Sequence, residues 1–561
     1  MLKRIKCVDM RVDAALAGFL VLVGLVLGFM LFTGSQTIGI TSDEPIERES
    51  IRDLRWPSDP TTLQFGVFGV SFQLLSHLVA FAVGIDELGL PGTTPESYGV
   101  AHLLSALMVL ASSICVFYLS RYLGVRNLYA LWGSVALLAV PVFLGHGMFN
   151  PKDIPIALGY SLFSLGLIRI LMKPQLPKSS LSRHTWLSTF IMASGIWLAA
   201  GIRYVFLLVF VATVGIVFFC LYFFRSHIGI EIRGLKSGFF SSLGAFGFGL
   251  LLLSVTNPCL LFRKSPDCTF GLELLPAISR ASFEHPGIGP TFLAGQILES
   301  SSPPWWYVPV SIWSGTPILI ALFCLLGIIV ATTHFFTFWS REFLPTASLP
   351  LNFRVAFLVV ALQMTLIPVV ASVTGSVAYD SQRQFLFVFP ALMVFASLGL
   401  AVLMWVAGRI AVRALLARSC VLLVAAAALI IPTLEIARLW PYSYIYVNPL
   451  ASIYGFSKNW ESDYWGASSR EALSFVPDGS LVARDSPYFS LISPYFLDRR
   501  LQEISDMRGL ERGTEFYFVR NHRVGFGWLG LPDNCHEVAR VERQLRREHI
   551  PLSYVGYCVK R

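Results

Sequence analysis

The chain alternates between uncharged apolar runs of about twenty residues and short polar stretches. The first run, AALAGFLVLVGLVLGFMLF at residues 14–32, holds no charged residue. A helix needs about 20 apolar residues to cross a hydrocarbon core of about 30 Å. Comparable runs recur near residues 98–120, 127–146, 154–172, 186–201, 204–224, 238–256, 307–331, 354–374, 385–407 and 419–437. The pattern therefore predicts about eleven transmembrane helices.

A further stretch, FGVFGVSFQLLSHLVAFAVG at residues 65–84, is ambiguous. If it crossed, the basic stretches RYLGVR, KPQLPKSSLSR, RSHIGIEIRGLK and RIAVRALLAR would all lie outside. Lys and Arg favour cytoplasmic loops, so this stretch is expected to lie as a helix in the outer interface. The amino terminus, MLKRIKCVDMR, is then cytoplasmic. The loops holding TSDEP, GHGMFNPKDIP and AYDSQRQ, residues 257–306, and everything after Trp440 face outward.

Residues 441–561 lose the long apolar runs and gain charge. Short stretches such as SLVAR, EFYFV and LSYVGYCVK, beside a helical ASSREALSFV, predict a small α/β domain outside the membrane. The expected organisation is a transmembrane domain at 1–440 and an extracytoplasmic domain at 441–561, in a mainly α, polytopic membrane protein.

Composition agrees: 55% of residues are hydrophobic and 14% charged, against roughly 25% charged in soluble domains. The net charge of +9 is spread over short clusters between apolar runs, which reads as topology rather than nucleic-acid binding. The first run is longer than the apolar core of a signal peptide and is followed by more spans, so it is expected to remain as a helix.

Of nine cysteines, Cys259, Cys268, Cys535 and Cys558 fall on the outer side, where disulfides persist. Cys535 and Cys558 bracket a terminal hairpin whose antiparallel pairing brings its ends together, so a bond between them is expected; Cys259 with Cys268 is the other candidate. No CxxC or HxxxH spacing lies near them, and no metal site is predicted. The acidic loop leaves a divalent cation as an option.

Three polar groups converge on the outer face. In TSDEPIERES, Glu47 and Glu49 are expected to be solvated surface, whereas Asp43 and Glu44 are stiffened by Pro45. In GHGMFNPKDIPIALGY, Asn150 and Pro151 suit a turn and Asp153 a helix N-cap, which leaves His146 and Lys152 unexplained. Arg383 in SVAYDSQRQFLFVFPAL and Arg203 in AGIRY each stand at a span edge, where an isolated arginine snorkels to headgroups. Together, carboxylates beside Lys and Arg at an interface suit a reaction in which an alcohol is deprotonated while a lipid phosphate leaves.

The acidic pair after the first span, NPKDIP, SQRQFLFVFPAL, SSPPWWYVPV and YVNPLASIYGFSKNWESDYWGASSREAL resemble bacterial members of the GT-C superfamily of membrane glycosyltransferases. The branch resembled is the one related to protein O-mannosyltransferases and lipid A aminoarabinose transferases. The resemblance implies a polyprenyl-phosphate sugar donor, inverting transfer to a lipid, glycan or protein hydroxyl on the outer face, and a bacterial plasma (inner) membrane location. It assigns Asp43 as general base with Glu44 beside it, Asp153 as the second acid, and Lys152, Arg203 and Arg383 to the carrier phosphate. Trp305, Trp306 and Tyr307 form an aromatic cluster at a span entrance, suited to headgroup anchoring or a polyprenyl groove. The rival reading is a transporter or flippase of a lipid-linked sugar, which would place ionisable groups near the midplane and show repeated halves; no repeat is visible.

Overall fold

In the computed structural model, the structure describes residues 2–53, 67–88, 92, 94–172, 178–224, 232–260, 271–283, 289–336, 350–409, 414–484, 499–504 and 509–561. Among the described residues, nine helices are long and apolar enough to cross a bilayer. These are α1 (Leu2–Thr37), α4 (Pro95–Tyr122), α7 (Asp153–Leu171), α9 (Val205–Phe223), α10 (Ile232–Thr256), α13 (Ile318–Phe336), α14 (Pro350–Thr374), α15 (Val388–Arg409) and α16 (Ala414–Leu439).

Two further segments also run from one end of the bundle to the other. Helices α5 (Asn127–Leu138) and α6 (Pro141–Gly147) are bent by 66° at a short break. Arg126, just before α5, pairs with Asp13 at 3.2 Å near the start of the first span, while Gly34 at the far end of α1 packs against Met148, just after α6. The pair therefore crosses as one bent span. Helix α8 (Lys178–Ala200) runs back along α7, and Arg203 just beyond it reaches Asp153 at the first turn of α7.

The fold is thus mainly helical, with about eleven crossings as the pattern implied. One segment differs. The run at 307–331 is two helices, α12 (Tyr307–Gly315) and α13, separated at Thr316–Pro317, because Pro317 cannot donate into a continuing helix. Helix α3 (Ser71–Ala82) has 12 residues, about 18 Å at 1.5 Å per residue, too short to span. Two more helices, α2 (Glu44–Asp53) and α11 (Leu274–Phe283), lie in the loops at the same end as Asp43.

Close helix packing relies on small residues. A Cβ on Gly399 of α15 would sit 2.0 Å from the Phe323 carbonyl oxygen of α13, and one on Gly327 would sit 1.9 Å from that of Phe395. The two backbones touch there.

Residues 440–476 lie over the end of the bundle, and Tyr442, Tyr444, Tyr446, Trp465 and Asp463 within them are buried. A five-stranded mixed sheet follows, made of β3 (Leu481–Arg484), β4 (Gln502–Ile504), β5 (Glu515–Asn521), β6 (Cys535–Leu545) and β7 (Glu548–Val559) in the order β4-β3-β5-β7-β6. A short hairpin, β1 (Pro290–Leu293) with β2 (Gln296–Glu299), stands apart from it. Cys535 and Cys558 face one another in the β6–β7 register and are joined by a disulfide; Cys268 and the side chain of Cys259 lie outside the described residues. The β6–β7 tip is tied to the helices through Arg546, 3.0 Å from Glu435 of α16, and through Arg543, which donates to the Trp440 carbonyl at 3.0 Å.

Candidate active site

The acidic loop places its charges by helical geometry. Glu44, Glu47, Arg48 and Ile51 follow i, i+3, i+4, i+7 spacing on α2, and all four are buried. The helix turns its charged face toward the protein and leaves Ile46 exposed. Glu47 is therefore not the solvated residue expected from an acidic run. Its partners are Lys152, with Nζ 2.9 Å from Oε1, and the Gln73 amide, which donates to it. The side chain of Glu49 lies outside the described residues. Arg48 anchors α2 through Asp86, Ser97 and the Gly92 carbonyl.

Lys152 is the centre of the cluster. Its Nζ also lies 3.1 Å from Asp43 Oδ2, and Arg383 Nη1 lies 3.9 Å from that same oxygen. Asp43 keeps 25% of its side chain accessible, whereas Glu47 keeps 1%. Of the two carboxylates on this lysine, only Asp43 can be reached by a substrate.

Arg383 is fully buried, its guanidinium 4.2 Å from the centre of the Trp465 ring and 4.9 Å from that of Tyr379. Its Nη2 lies 3.4 Å from Asp380. Its Nη1 and Nε have no hydrogen-bond partner among the described residues. The turn that sets this geometry is strained: Asp380 and Ser381 both have positive φ, at 55° and 56°. Tyr307 holds it by accepting a hydrogen bond from the Ser381 amide at 3.0 Å. Tyr307 is thus buried in the site, while Trp305 is 71% exposed; the aromatic trio does not act as one cluster.

The second acid, Asp153, receives Arg203 at 3.0 Å and the Asn150 amide at 3.1 Å. It does not cap α7 with its side chain. Asn150 Oδ1 takes that part, accepting from the amides of Lys152 and Asp153 at 3.0 and 2.8 Å. His146, one turn earlier, meets the Tyr464 hydroxyl at 2.8 Å and Asn150 at 3.2 Å. Gly145 lets the 443–444 backbone lie against this turn, since a Cβ there would fall 2.2 Å from the Tyr444 nitrogen.

Glu44 is held by other groups. It accepts from the Thr41 amide and hydroxyl at 2.6 and 2.8 Å and pairs with His102 Nε2 of α4 at 2.7 Å.

The sheet domain also enters the site. Arg523, in the loop after β5, lies 3.1 Å from Asp380 and donates to the Tyr464 carbonyl at 3.1 Å. Glu461 clamps that loop by accepting from the Val524 and Gly525 amides at 2.8 and 3.0 Å. Sequence reasoning missed Glu47, His102, Asp380, Trp465 and Arg523. His102 carries a usable signal, an ionisable residue within an apolar run; Arg523 carries none, because only tertiary folding brings it there.

The electrostatics separate the two carboxylates on Lys152. Burial pushes Glu47 up to about 8, and the charge of Asp43 adds to the rise. Burial also opposes ionisation of Asp43, but Lys152 and Arg383 overcome it and hold that carboxyl below the usual range. Lys152 is raised by Asp43 and Glu47 despite burial. Asp43 is thus favoured as an anion between two cations, while burial resists ionisation of Glu47 behind the same lysine. Among the described residues no three His, Cys, Asp or Glu side chains are grouped to hold a metal ion.

Nearly the whole chain aligns with crystal structures of ArnT from Cupriavidus metallidurans. The structure bound to undecaprenyl phosphate gives a TM-score of 0.51 at 15% identity, covering 96% of this chain and 98% of that one. The apo structure gives the same score and identity over 97% and 98%. The chain has the ArnT fold. No protein-family model and no curated protein sequence matches it.

Proposed function

We propose that the protein transfers a sugar from a polyprenyl-phosphate carrier to an acceptor hydroxyl on the outer face of a bacterial plasma membrane. The observation that carries this reading is Arg383: a buried guanidinium whose Nη1 and Nε have no hydrogen-bond partner among the described residues, set beside the accessible Asp43 and its partner Lys152. Two buried guanidinium nitrogens without an acceptor suit a further oxyanion, and a phosphate matches the planar fork. The ArnT structure that shares the fold holds undecaprenyl phosphate.

In the reaction, the acceptor oxygen forms a bond to the anomeric carbon from the face opposite the phosphate, with inversion. The bond from that carbon to the phosphate oxygen breaks, and its electron pair leaves with the phosphate. The acceptor proton passes to Asp43 Oδ. Lys152 and Arg383 hold the charge that grows on the leaving phosphate, an interaction worth most where water is scarce. Arg203, paired with Asp153 behind them at 3.0 Å, is the third cation near the phosphate. Donor binding also prepares the base: the phosphate offsets the two cations that hold Asp43 below the usual carboxylate range, so the carboxylate becomes more basic as the substrate arrives.

Clustering of these charges at one end of the bundle favours a transferase over a transporter, whose sites lie near the midplane. The direct test is transfer of a labelled sugar from polyprenyl phosphate by purified protein in lipid vesicles. Time-dependent release of polyprenyl phosphate coupled to acceptor labelling supports the reading. Movement of intact labelled donor across the bilayer without release would replace it with the flippase.

A further inference from the structure

Arg523 joins the sheet domain to two supports of Arg383. Its Nη2 lies 3.1 Å from Asp380 Oδ1, while Asp380 Oδ2 faces Arg383 Nη2 at 3.4 Å. Its Nη1 donates to the Tyr464 carbonyl at 3.1 Å, and the ring of the next residue, Trp465, is centred 4.2 Å from the Arg383 guanidinium. Arg523 and Asp380 keep only 11% and 5% of their side chains accessible, so these contacts are made away from bulk water.

The loop after β5 holds that arginine in place. The Arg523 amide donates to the Trp528 carbonyl at 3.1 Å and the Trp528 amide returns to the Arg523 carbonyl at 2.9 Å, which closes a tight turn. Glu461 accepts from the two amides that follow Arg523, and the Phe526 ring is centred 4.4 Å from its guanidinium. A Cβ on Gly525 would fall 3.0 Å from the Pro290 carbonyl oxygen of β1, so the loop is wedged against the β1–β2 hairpin. Docking of the sheet domain has other fastenings: Arg546 with Glu435, and Arg543 with Glu471 and the Trp440 carbonyl.

Asp380 is therefore a divided carboxylate. Left alone beside an arginine, a carboxylate closes into a two-pronged pair at about 2.7 to 2.9 Å, which uses two guanidinium nitrogens. Here the separation from Arg383 is 3.4 Å, and the oxygen that would complete the fork is committed to Arg523. Arg383 Nη1 and Nε keep no hydrogen-bond partner among the described residues, although Nη1 stands 3.9 Å from Asp43. We propose that Arg523 is a positioning residue for the donor: by holding one oxygen of Asp380, it stops that carboxylate from closing on Arg383 and keeps Arg383 open to the phosphate. The inference rests on the transfer reading above, since it names the donor phosphate as the anion. Without Arg523, Asp380 turns both oxygens to Arg383 and competes with the phosphate for the same fork.

The test is a double-mutant cycle on the full chain in nanodiscs, with undecaprenyl phosphate affinity as the readout in the native protein, Arg523→Ala, Asp380→Asn and the double variant. Arg523→Ala should weaken binding by roughly tenfold, within the range for residues of one charge network. Asn tolerates the positive φ of 55° at position 380, so Asp380→Asn removes the charge without contesting the turn. Added to Arg523→Ala it should recover most of the loss, and it should gain clearly less in the native background. An arginine that only supports the fold, or that itself binds the phosphate, leaves a loss that Asp380→Asn does not recover, and that result overturns the proposal. Equal gains in both backgrounds, the mark of simple charge addition, overturn it too. Arg523→Gln, which keeps a donor for the Tyr464 carbonyl, takes the place of Ala in the cycle where Ala does not fold, with the same expectations. Native affinity retained in Arg523→Ala overturns this inference alone, whereas a native chain that binds no undecaprenyl phosphate overturns the transfer reading and the inference with it.

Discussion

At Lys152, two carboxylates share one ammonium in different surroundings. Asp43 is accessible and ionised, whereas Glu47 is enclosed and held up to about 8. Raising the pH through 8 ionises Glu47 and adds a negative charge beside the lysine that would hold the phosphate. A sugar phosphodiester has no proton to lose in that range, so donor affinity should fall above pH 8 in the native protein and stay flat in Glu47→Gln. Titration calorimetry across pH 6.5 to about 9 checks this. The stability effect has a definite sign. Glu47 binds its proton more tightly folded than unfolded, so its contribution falls as pH rises from the usual carboxylate range toward 8, and Glu47→Gln should remove that slope.

Arg383 gives a second residue-scale prediction. Arg383→Ala should weaken donor binding by about 1.5 to 3 kcal/mol, the worth of a charge-assisted hydrogen bond. Lys should restore only part, lacking the planar fork. Donor affinity unchanged in Arg383→Ala would leave this side chain without a ligand.

Among the elements, spans were legible because run length alone decides whether a helix can cross, and TSDEP, NPKD and SQR stood out because charges of both signs gather at one face, which snorkelling of single residues does not explain. The inward acidic face of α2 was not. An acidic run normally faces water, and only Lys152, Gln73 and His102 from three other segments reverse that rule. The break inside 307–331 had a signal in Pro317, but apolar composition on both sides masked it. Asp380 stood three residues before Arg383 in a stretch already singled out, yet nothing local tells that Arg523 would meet it.

Helix packing can be tested directly. Ala is a better helix former than Gly by about 1 kcal/mol, but at Gly399 its methyl would collide with a backbone carbonyl, and overpacking costs about 1 to 3 kcal/mol. Gly399→Ala should therefore lower the melting temperature in detergent. Gly215→Ala on α9, with nothing within 4 Å of the added Cβ, should not.

For the whole molecule, sidedness and site stand or fall together. An odd number of crossings puts Asp13 and Arg126 at one end and Asp43, Lys152, Arg383 and the sheet at the other. Under the orientation we propose from the basic loops, the first end is cytoplasmic. A reporter fused after Arg561 should be active outside the membrane, and one fused after Lys178 inside. Both on one side would dismantle the crossing pattern.

The central claim is that Asp43 accepts the acceptor proton, and Asp43→Asn tests it most directly. The amide keeps the shape and most hydrogen bonding but cannot take a proton. Transfer of labelled sugar from polyprenyl phosphate in reconstituted protein should fall by a factor on the order of 10² to 10⁴, while donor binding, measured on the same sample, persists. Native turnover in Asp43→Asn would contradict the account. Equal loss of binding and turnover would also contradict it, by making the acidic loop a structural support rather than the base.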